Sequence, residues 1–522
     1  MLIESYHPRE RRATSIYAIE GRLRPFRPNA EAATTRANPP GEDPGPYHGG
    51  AVPDETPLPR RLFGNRTLNL RRIRAIGYDM DYTLVHYRVD EWERRAYEHT
   101  LPYLARRGWP TDGLQFDPAR VIRGLVIDLD LGNLVKATRF GYVIRAAHGT
   151  RFLEYEELRT AYSGTVVDIG DSRFVFLNTL FTLSEATIFS QMVDLLDAGR
   201  LGVMSYADLY RVVRASVDEA HLPGTLKEEI LADPKRFLVP DPEAPTALLD
   251  QRYAGKRLML ITNSDWDYTR RLMEIAFDPY LPRKMTWRDL FDLIIVGADK
   301  PGFFSEQRPL YRVIDEQQGL LLPQRGELEP GGVYFRGDAA QVEQHLGLSG
   351  DEILYVGDHL YADVHVSKAA LRWRTALILR ELEPEIEALE AFRPTEDALR
   401  ALMTEKEDLE RTLARTRLAR QRARHRYARA GPEAAESEAE ITRLQEALVA
   451  LDDRIGPLAR AAGEIRNPSW GPLMRAGYDK SLFARQVERY ADVYTSRVSN
   501  FLYETPYAFL RAARSTLPHD PS

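Results

Sequence analysis

Asp79 and Asp81 stand two residues apart after the apolar run 75–78, in a stretch that reads IRAIGYDMDYTLVHY over 73–87. The run is short enough for a buried parallel strand, which puts both carboxylates at its carboxyl end. Acids at the mouth of an apolar sheet repel each other and lose hydration unless a cation or a proton compensates them. A divalent, oxygen-seeking ion such as Mg²⁺ is the simplest compensation. A bare pair of this kind has a plain alternative, a strand-ending Asx turn, so its meaning depends on what accompanies it.

Three further apolar runs end in polar residues. KRLMLITNSD (256–265) ends in Thr262, Asn263 and Ser264; FDLIIVGADKPGFF (291–304) carries Lys300 before Pro301; DEILYVGDHLYAD (351–363) carries Asp358 and, five residues on, Asp363. In this order the four stretches resemble the motifs of the haloacid dehalogenase superfamily of phosphatases. The resemblance implies that Asp79 is a nucleophile forming an aspartyl-phosphate, with Asp81 as general acid and base. It implies that Thr262 and Lys300 hold and neutralise phosphate oxygens, and that Mg²⁺ sits between Asp79, Asp358, Asp363 and the carbonyl of Asp81. Asn263 and Ser264 then face the substrate.

Those motifs must be carried by a scaffold. Helical spacing at 267–277 and 339–346 alternates with the strands between 256 and 378, a βαβ rhythm that predicts a doubly wound parallel sheet. Such sheets place ligands at the carboxyl ends of their strands, where all of these residues fall. The expected fold class is thus α/β, a haloacid dehalogenase-like Rossmannoid core from 61–89 and 256–380. The intervening residues 90–255 stand where the superfamily inserts a cap, so the resemblance implies an α+β cap domain there.

Within that insertion, 91–107, 191–196 and 206–221 have helical spacing, and alternation across 121–149 suggests two strands joined by a turn. RGLVxDxxxGNxxK, the AxHG that follows it, and RFVFLNTLF (173–181) resemble the cytosolic purine 5′-nucleotidase branch. Arg214, Asp218 and His221 lie on one face of the 206–221 helix, which spacing alone also reads as a surface salt-bridge stripe. The resemblance implies that Arg214 and Asp218 bond a base, with His221 beside them, Phe181 stacking on it and Lys227 reaching the phosphate side. Leu222 departs from the pattern, because the family's purine enzyme has an aromatic there. A lost stacking partner is on the order of 1–3 kcal/mol.

The expected function is a Mg²⁺-dependent 5′-nucleotidase for purine nucleoside monophosphates of the IMP and GMP kind. Transfer of the phosphoryl group to a nucleoside acceptor is a related activity. The alternatives are a phosphatase for another small phosphate ester, or a scaffold working through an Arg-rich hairpin.

That hairpin is expected over 381–462, from leucines at three-four spacing on either side of Gly431-Pro432. Its arginines could bind a polyanion, but glutamates opening the second helix can pair with them, so a self-neutralised hairpin is expected. The C-terminal segment, 463–522, reads as helical and packed on the core, with an amphipathic helix over 477–511. The resemblance implies an effector site at Asn178, Gln486, Arg489 and Tyr490, where a lysine of the family enzyme is replaced by Ala369.

Residues 1–60 are dense in Pro, Gly and charge and read as an extended or disordered arm. The whole chain of 522 residues is 43% hydrophobic with a net charge of −6, so attraction to polyanions has to be local. There is no cysteine, which excludes disulfides and thiol chemistry and fits a reducing compartment. No apolar run approaches the roughly 18 residues of a membrane span. The expectation is a cytoplasmic homo-oligomer, dimer or tetramer, whose partner is a small nucleotide, with neither membrane nor nucleic acid.

Overall fold

The computed structural model describes residues 56–221, 224–316, 319–427 and 437–513. Leu222, the Gly431-Pro432 turn and residues 1–55 of the N-terminal arm lie outside them.

The core is a ten-stranded sheet. Its spatial order is Phe63–Gly64, Val493–Thr495, Arg374–Ile378, Ile353–Gly357, Ala75–Tyr78, Arg257–Ile261, Leu293–Val296, Gly332–Arg336, Leu310–Asp315 and Leu320–Pro323. The seven strands from Val493–Thr495 to Gly332–Arg336 run parallel. Most of their residues are buried, on both faces, and the side chains divide with a period of two. Leu258, Leu260, Ile294, Leu354 and Val356 join one apolar cluster, while Met259, Ile261, Ile295, Ile353 and Tyr355 join another. Each fully buried aliphatic side chain stabilises by about 1.5–3 kcal/mol.

From Ala75–Tyr78 the chain adds strands on one side, then crosses to place Ile353–Gly357 on the other. The order therefore reverses at Ala75–Tyr78, a switch point that leaves a crevice beyond its carboxyl end.

The chain enters and leaves the cap through His86–Tyr87 and Leu238–Val239, which pair antiparallel. The cap carries a five-stranded antiparallel sheet and the helices Val89–Arg106, Leu183–Asp197 and Tyr206–His221. Alternation predicts one hairpin over 121–149, but the structure makes three strands: Val126–Asp128, Asn133–Ala137 and Val143–His148. The extra reversal is a tight turn hidden inside the alternating pattern. Buried Asp128 accepts the backbone N–H groups of Asp130 and Leu131, and Gly132 takes φ +67°.

The C-terminal segment also differs from expectation. Its helix stops at Leu482–Tyr490, and Val493–Thr495 then adds a parallel strand to the core sheet. Asp492 forces the change: its carboxylate takes Lys368, Arg374 and the backbone N–H of Thr375, docking the chain as a strand. The hairpin itself is formed by Leu382–His425 and Ser437–Gly463, which pack through Leu399, Leu451 and Ile455 and then through Leu413, Ile441 and Leu444.

Candidate active site

Four strand ends meet at the switch point. Ala75–Tyr78 delivers Asp79 and Asp81, Arg257–Ile261 delivers Thr262 to Ser264, Leu293–Val296 leads to Lys300, and Ile353–Gly357 delivers Asp358. The parallel ladder continues into these residues: the N–H of Asp79 donates to the Val356 carbonyl and that of Thr262 to the Ile295 carbonyl, both at 2.9 Å. A turn of π-helix, Leu360–His365, then carries Asp363 back into the site. Gly357 permits that return, since a Cβ there would stand 2.5 Å from Asp363 Oδ2.

Lys300 is the hub. Its Nζ lies 2.8 Å from Asp79 Oδ1 and 2.8 Å from Asp363 Oδ1, and donates to the Tyr355 hydroxyl at 3.0 Å. Tyr355 in turn donates to the Ile261 carbonyl at 3.0 Å. Gly77 makes room for that ring, because a Cβ there would meet Tyr355 Cδ2 at 2.9 Å. Burial opposes the charge on Lys300, but Asp363 and Asp79 hold its pKa well above the ordinary value.

The carboxylates outnumber that cation. Burial, aided by Asp363 and Asp81 and opposed by Lys300, pushes Asp79 up to about 7, and burial also pushes Asp358 well above its usual range. Carboxylate oxygens of Asp79, Asp358 and Asp363 all lie within 4.8 Å of one another. Asp358 Oδ2 is buried without a hydrogen-bond partner among the described residues. A hard divalent cation fits these residues: it would use the orphaned oxygen and offset the excess negative charge.

Asp81 is turned away from this cluster. Ser264 Oγ donates to its Oδ2 at 2.7 Å and the Tyr87 hydroxyl donates to its Oδ1. Tyr87 is itself 3.0 Å from the Tyr268 hydroxyl. Thr262 is fully buried, and its Oγ1 accepts the N–H of Ser264 at 3.1 Å. Asn263, expected to face the substrate, is instead spent on the Lys300 backbone. Its Nδ2 donates to the Lys300 carbonyl at 3.1 Å and its Oδ1 accepts the Lys300 N–H at 2.7 Å, so it positions the lysine loop.

Arg123 is a residue that sequence reasoning missed. Its guanidinium, 1% exposed, donates from Nη2 to Glu381 at 3.0 Å, with Nε in ion-pair contact with the same carboxylate at 2.9 Å, and Nη1 donates to the Asp358 carbonyl at 3.2 Å. It lies over the Phe483 ring, 5.3 Å from the centroid. The signal was present as the RG of RGLV: a Cβ at Gly124, which has φ +87°, would stand 2.8 Å from Phe483.

The cap residues are placed unevenly. Lys227 reaches the mouth, with Nζ 3.3 Å from Ser264 Oγ, 3.2 Å from Asp265 Oδ2 and 4.6 Å from the Tyr268 ring centroid. Arg214, expected to bond a base, is engaged by Glu185 at 2.5 Å and by Asp218 at 3.4 Å; the acid that captures it is almost fully buried. His221 turns Nδ1 to the Val217 carbonyl at 2.7 Å. Phe181 packs edge-on against Tyr82 and Trp92.

Of the expected effector residues, Gln486, Arg489 and Tyr490 lie in the Leu482–Tyr490 helix, and Asn178 follows the strand Phe174–Phe176, where its Nδ2 donates to the Phe176 carbonyl at 3.3 Å. Tyr490 packs on His365, with ring centroids 4.2 Å apart, and Arg489 lies over Tyr490. Asn178 Oδ1 and Gln486 Oε1 are both buried and accept no hydrogen bond among the described residues. Ala369 lies in the helix Val366–Leu371, and its neighbour Lys368 is paired with Asp492.

A doubly wound parallel sheet bearing these four strand-end clusters beneath an inserted cap is a haloacid dehalogenase-like α/β architecture. Residues 62–522 match the 5′ nucleotidase family, and the chain belongs to it. It is 28% identical over 478 residues to the human 5′-nucleotidase domain-containing protein 2, covering 88% of this chain and 85% of that protein. It is 27% identical over 482 residues to a 5′-nucleotidase domain-containing protein of Dictyostelium discoideum, covering 88% and 75%. Among the described residues no helix is long and apolar enough to cross a membrane.

Proposed function

We propose that the chain is a Mg²⁺-dependent 5′-nucleotidase that hydrolyses purine nucleoside monophosphates of the IMP and GMP type. The observation that carries the chemistry is the buried Asp79–Lys300–Asp363 bridge, with the orphaned oxygen of Asp358 beside it.

Asp79 attacks the phosphorus and forms an aspartyl-phosphate while Asp81 delivers a proton to the departing 5′-oxygen. Asp81, now a base, takes a proton from water, which attacks the same phosphorus; inorganic phosphate leaves and the Asp79 carboxylate is restored. Asp79, Asp358, Asp363 and the Asp81 carbonyl would hold Mg²⁺, which would supply positive charge to offset the like charges of carboxylate and phosphate. Lys300 and Thr262 hold the transferring oxygens, and fixed donors of this kind account for most catalysis of phosphoryl transfer. A nucleoside that competes with water for the intermediate would receive the phosphoryl group instead.

The purine reading rests on the family and on the sequence match at Phe181, Arg214, Asp218, His221 and Lys227. In this reading Arg214 exchanges Glu185 for the base, and Asn178, Gln486, Arg489 and Tyr490 take a nucleotide effector. The ion pair between Arg214 and Glu185 favours a second reading, a phosphatase for another small ester that leaves this pair intact.

Phosphate release from a panel of nucleoside monophosphates and small phosphate esters, in Mg²⁺ and in EDTA, tests both. Preference for IMP or GMP that vanishes in EDTA supports the first. Metal-dependent release from non-nucleotide esters selects the second, and no release from any substrate overturns both.

A further inference from the structure

Beyond Leu413, the first hairpin helix has no side chain in an apolar cluster among the described residues. The segment from Arg411 to Tyr427 reads RTLARTRLARQRARHRY, with seven arginines and neither acid nor lysine. At 100° per residue Arg411, Arg415 and Arg422 fall on one stripe, about 17 Å long at 1.5 Å per residue, opposite the buried side of Leu409 and Leu413. Arg417, Arg424 and Arg426 are exposed as well.

Of the acids expected to neutralise this end, Glu433 and Glu436 lie outside the described residues; among those described, pairing across the hairpin reaches one arginine. Arg420 reaches Glu438 across the hairpin at 3.3 Å, and Arg411 pairs with Asp408 on its own helix. The next acid of the second helix, Glu440, is taken by Arg443. Among the described residues no ion pair involves Arg415, Arg417, Arg422, Arg424 or Arg426. Arg411 with Arg415, Arg420 with Arg424, and Arg422 with Arg426 are like charges four apart, each pair destabilising the helix by roughly 0.2–0.5 kcal/mol. A dipole at the helix end favours the last turn only and does not account for the earlier ones.

We propose that this end of the hairpin is an arm that binds the phosphate backbone of a nucleic acid, with Arg415, Arg417, Arg422, Arg424 and Arg426 as its contacts. The composition selects that partner. Arginine forks match phosphate oxygens in pairs, where lysine offers a point charge. Tyr427, 57% exposed just past the end of the helix, offers a face for a base. A membrane surface would require an apolar face, and Leu418 is the one large apolar side chain exposed between Arg411 and Arg426. The net charge of −6 keeps the rest of the chain from competing.

Fluorescence anisotropy of the full chain with labelled duplex RNA, duplex DNA and single-stranded RNA, and sedimentation with phosphatidylserine vesicles, tests the arm. Five phosphate contacts predict a log–log salt slope near −4.5 on a duplex, so affinity falls by about two to three decades between about 50 and 200 mM salt. Changing the five arginines to Gln should weaken binding by about tenfold or more and flatten that slope, with phosphate release and helical circular dichroism unchanged. Changing the same five to Lys should retain most of the slope. Whichever of RNA and DNA binds more tightly identifies the source of the phosphates. The proposal is overturned if the intact chain binds no nucleic acid at low salt, if the Gln variant binds as well as the intact chain, if only vesicles are bound, or if the Gln variant loses phosphate release.

Discussion

Replacing Arg123 by Ala should weaken the hold on the divalent cation far more than it slows turnover at saturating metal. Arg123 touches no ligand of the site through a side chain; it grips the backbone of Asp358 and is itself fixed by Glu381 on one side and the Phe483 ring on the other. Because Glu381 pairs with it, removing the guanidinium changes the local charge little once Glu381 is also changed to Gln, and the loss is one of position. Partners that orient metal ligands are typically worth 10- to 100-fold in metal affinity, which is about 1.4–2.8 kcal/mol. The assay is phosphate release titrated with Mg²⁺ for the native chain, Arg123→Ala/Glu381→Gln and Arg123→Lys. The double variant should need about 10- to 100-fold more Mg²⁺ for half its maximal rate, with kcat within about fivefold, and Arg123→Lys should recover part of the loss. A lowered kcat with an unchanged Mg²⁺ requirement, or no effect at all, would refute the positioning role.

Lys300→Met leaves Asp79 and Asp363 buried without their countercharge, which typically costs about 3–5 kcal/mol. Denaturation in EDTA should show that deficit growing as pH rises through about 7, where Asp79 gives up its proton, and shrinking below it. Lys227→Ala should raise KM about tenfold and leave kcat nearly unchanged, because the lysine stands at the mouth beside Ser264 rather than among the reacting groups; steady-state kinetics on the preferred nucleotide decides this. Burial pushes Glu93 up to about 8, so the folded chain keeps a proton that the unfolded chain releases near 4.5. Its stabilising contribution is complete below about 4.5 and is lost as pH rises to about 8. Glu93→Gln should therefore gain on the native chain by a few kcal/mol at most between those limits, measured by chemical denaturation.

The strand ends that carry the candidate site were legible because each announces itself locally: an apolar run buried on both faces, then a residue whose charge makes sense only at a sheet edge. Tyr355 shows where that legibility stops. Its hydroxyl holds Lys300, yet within ILYVG it reads as one more apolar strand residue, and only the missing Cβ of Gly77 on the neighbouring strand makes room for it. Asn263 shows the converse, a residue next to the chemistry whose amide serves its neighbour's backbone. The turn at Gly132 and the strand after Asp492 escaped because alternation and amphipathic spacing run through both without a break. Tertiary partners, Arg173 on Asp128 and Lys368 with Arg374 on Asp492, decide them.

The nucleophile assignment is tested most directly by trapping the phosphorylated enzyme. Rapid acid quench during turnover of the preferred substrate, borohydride reduction of the acyl phosphate and peptide mass spectrometry locate the carboxylate that carried phosphorus. Asp79 should be reduced to homoserine, a product absent without substrate and absent in Asp79→Asn, which should also lack turnover. Label on any other carboxylate, or turnover by Asp79→Asn at an undiminished rate, would contradict the assignment.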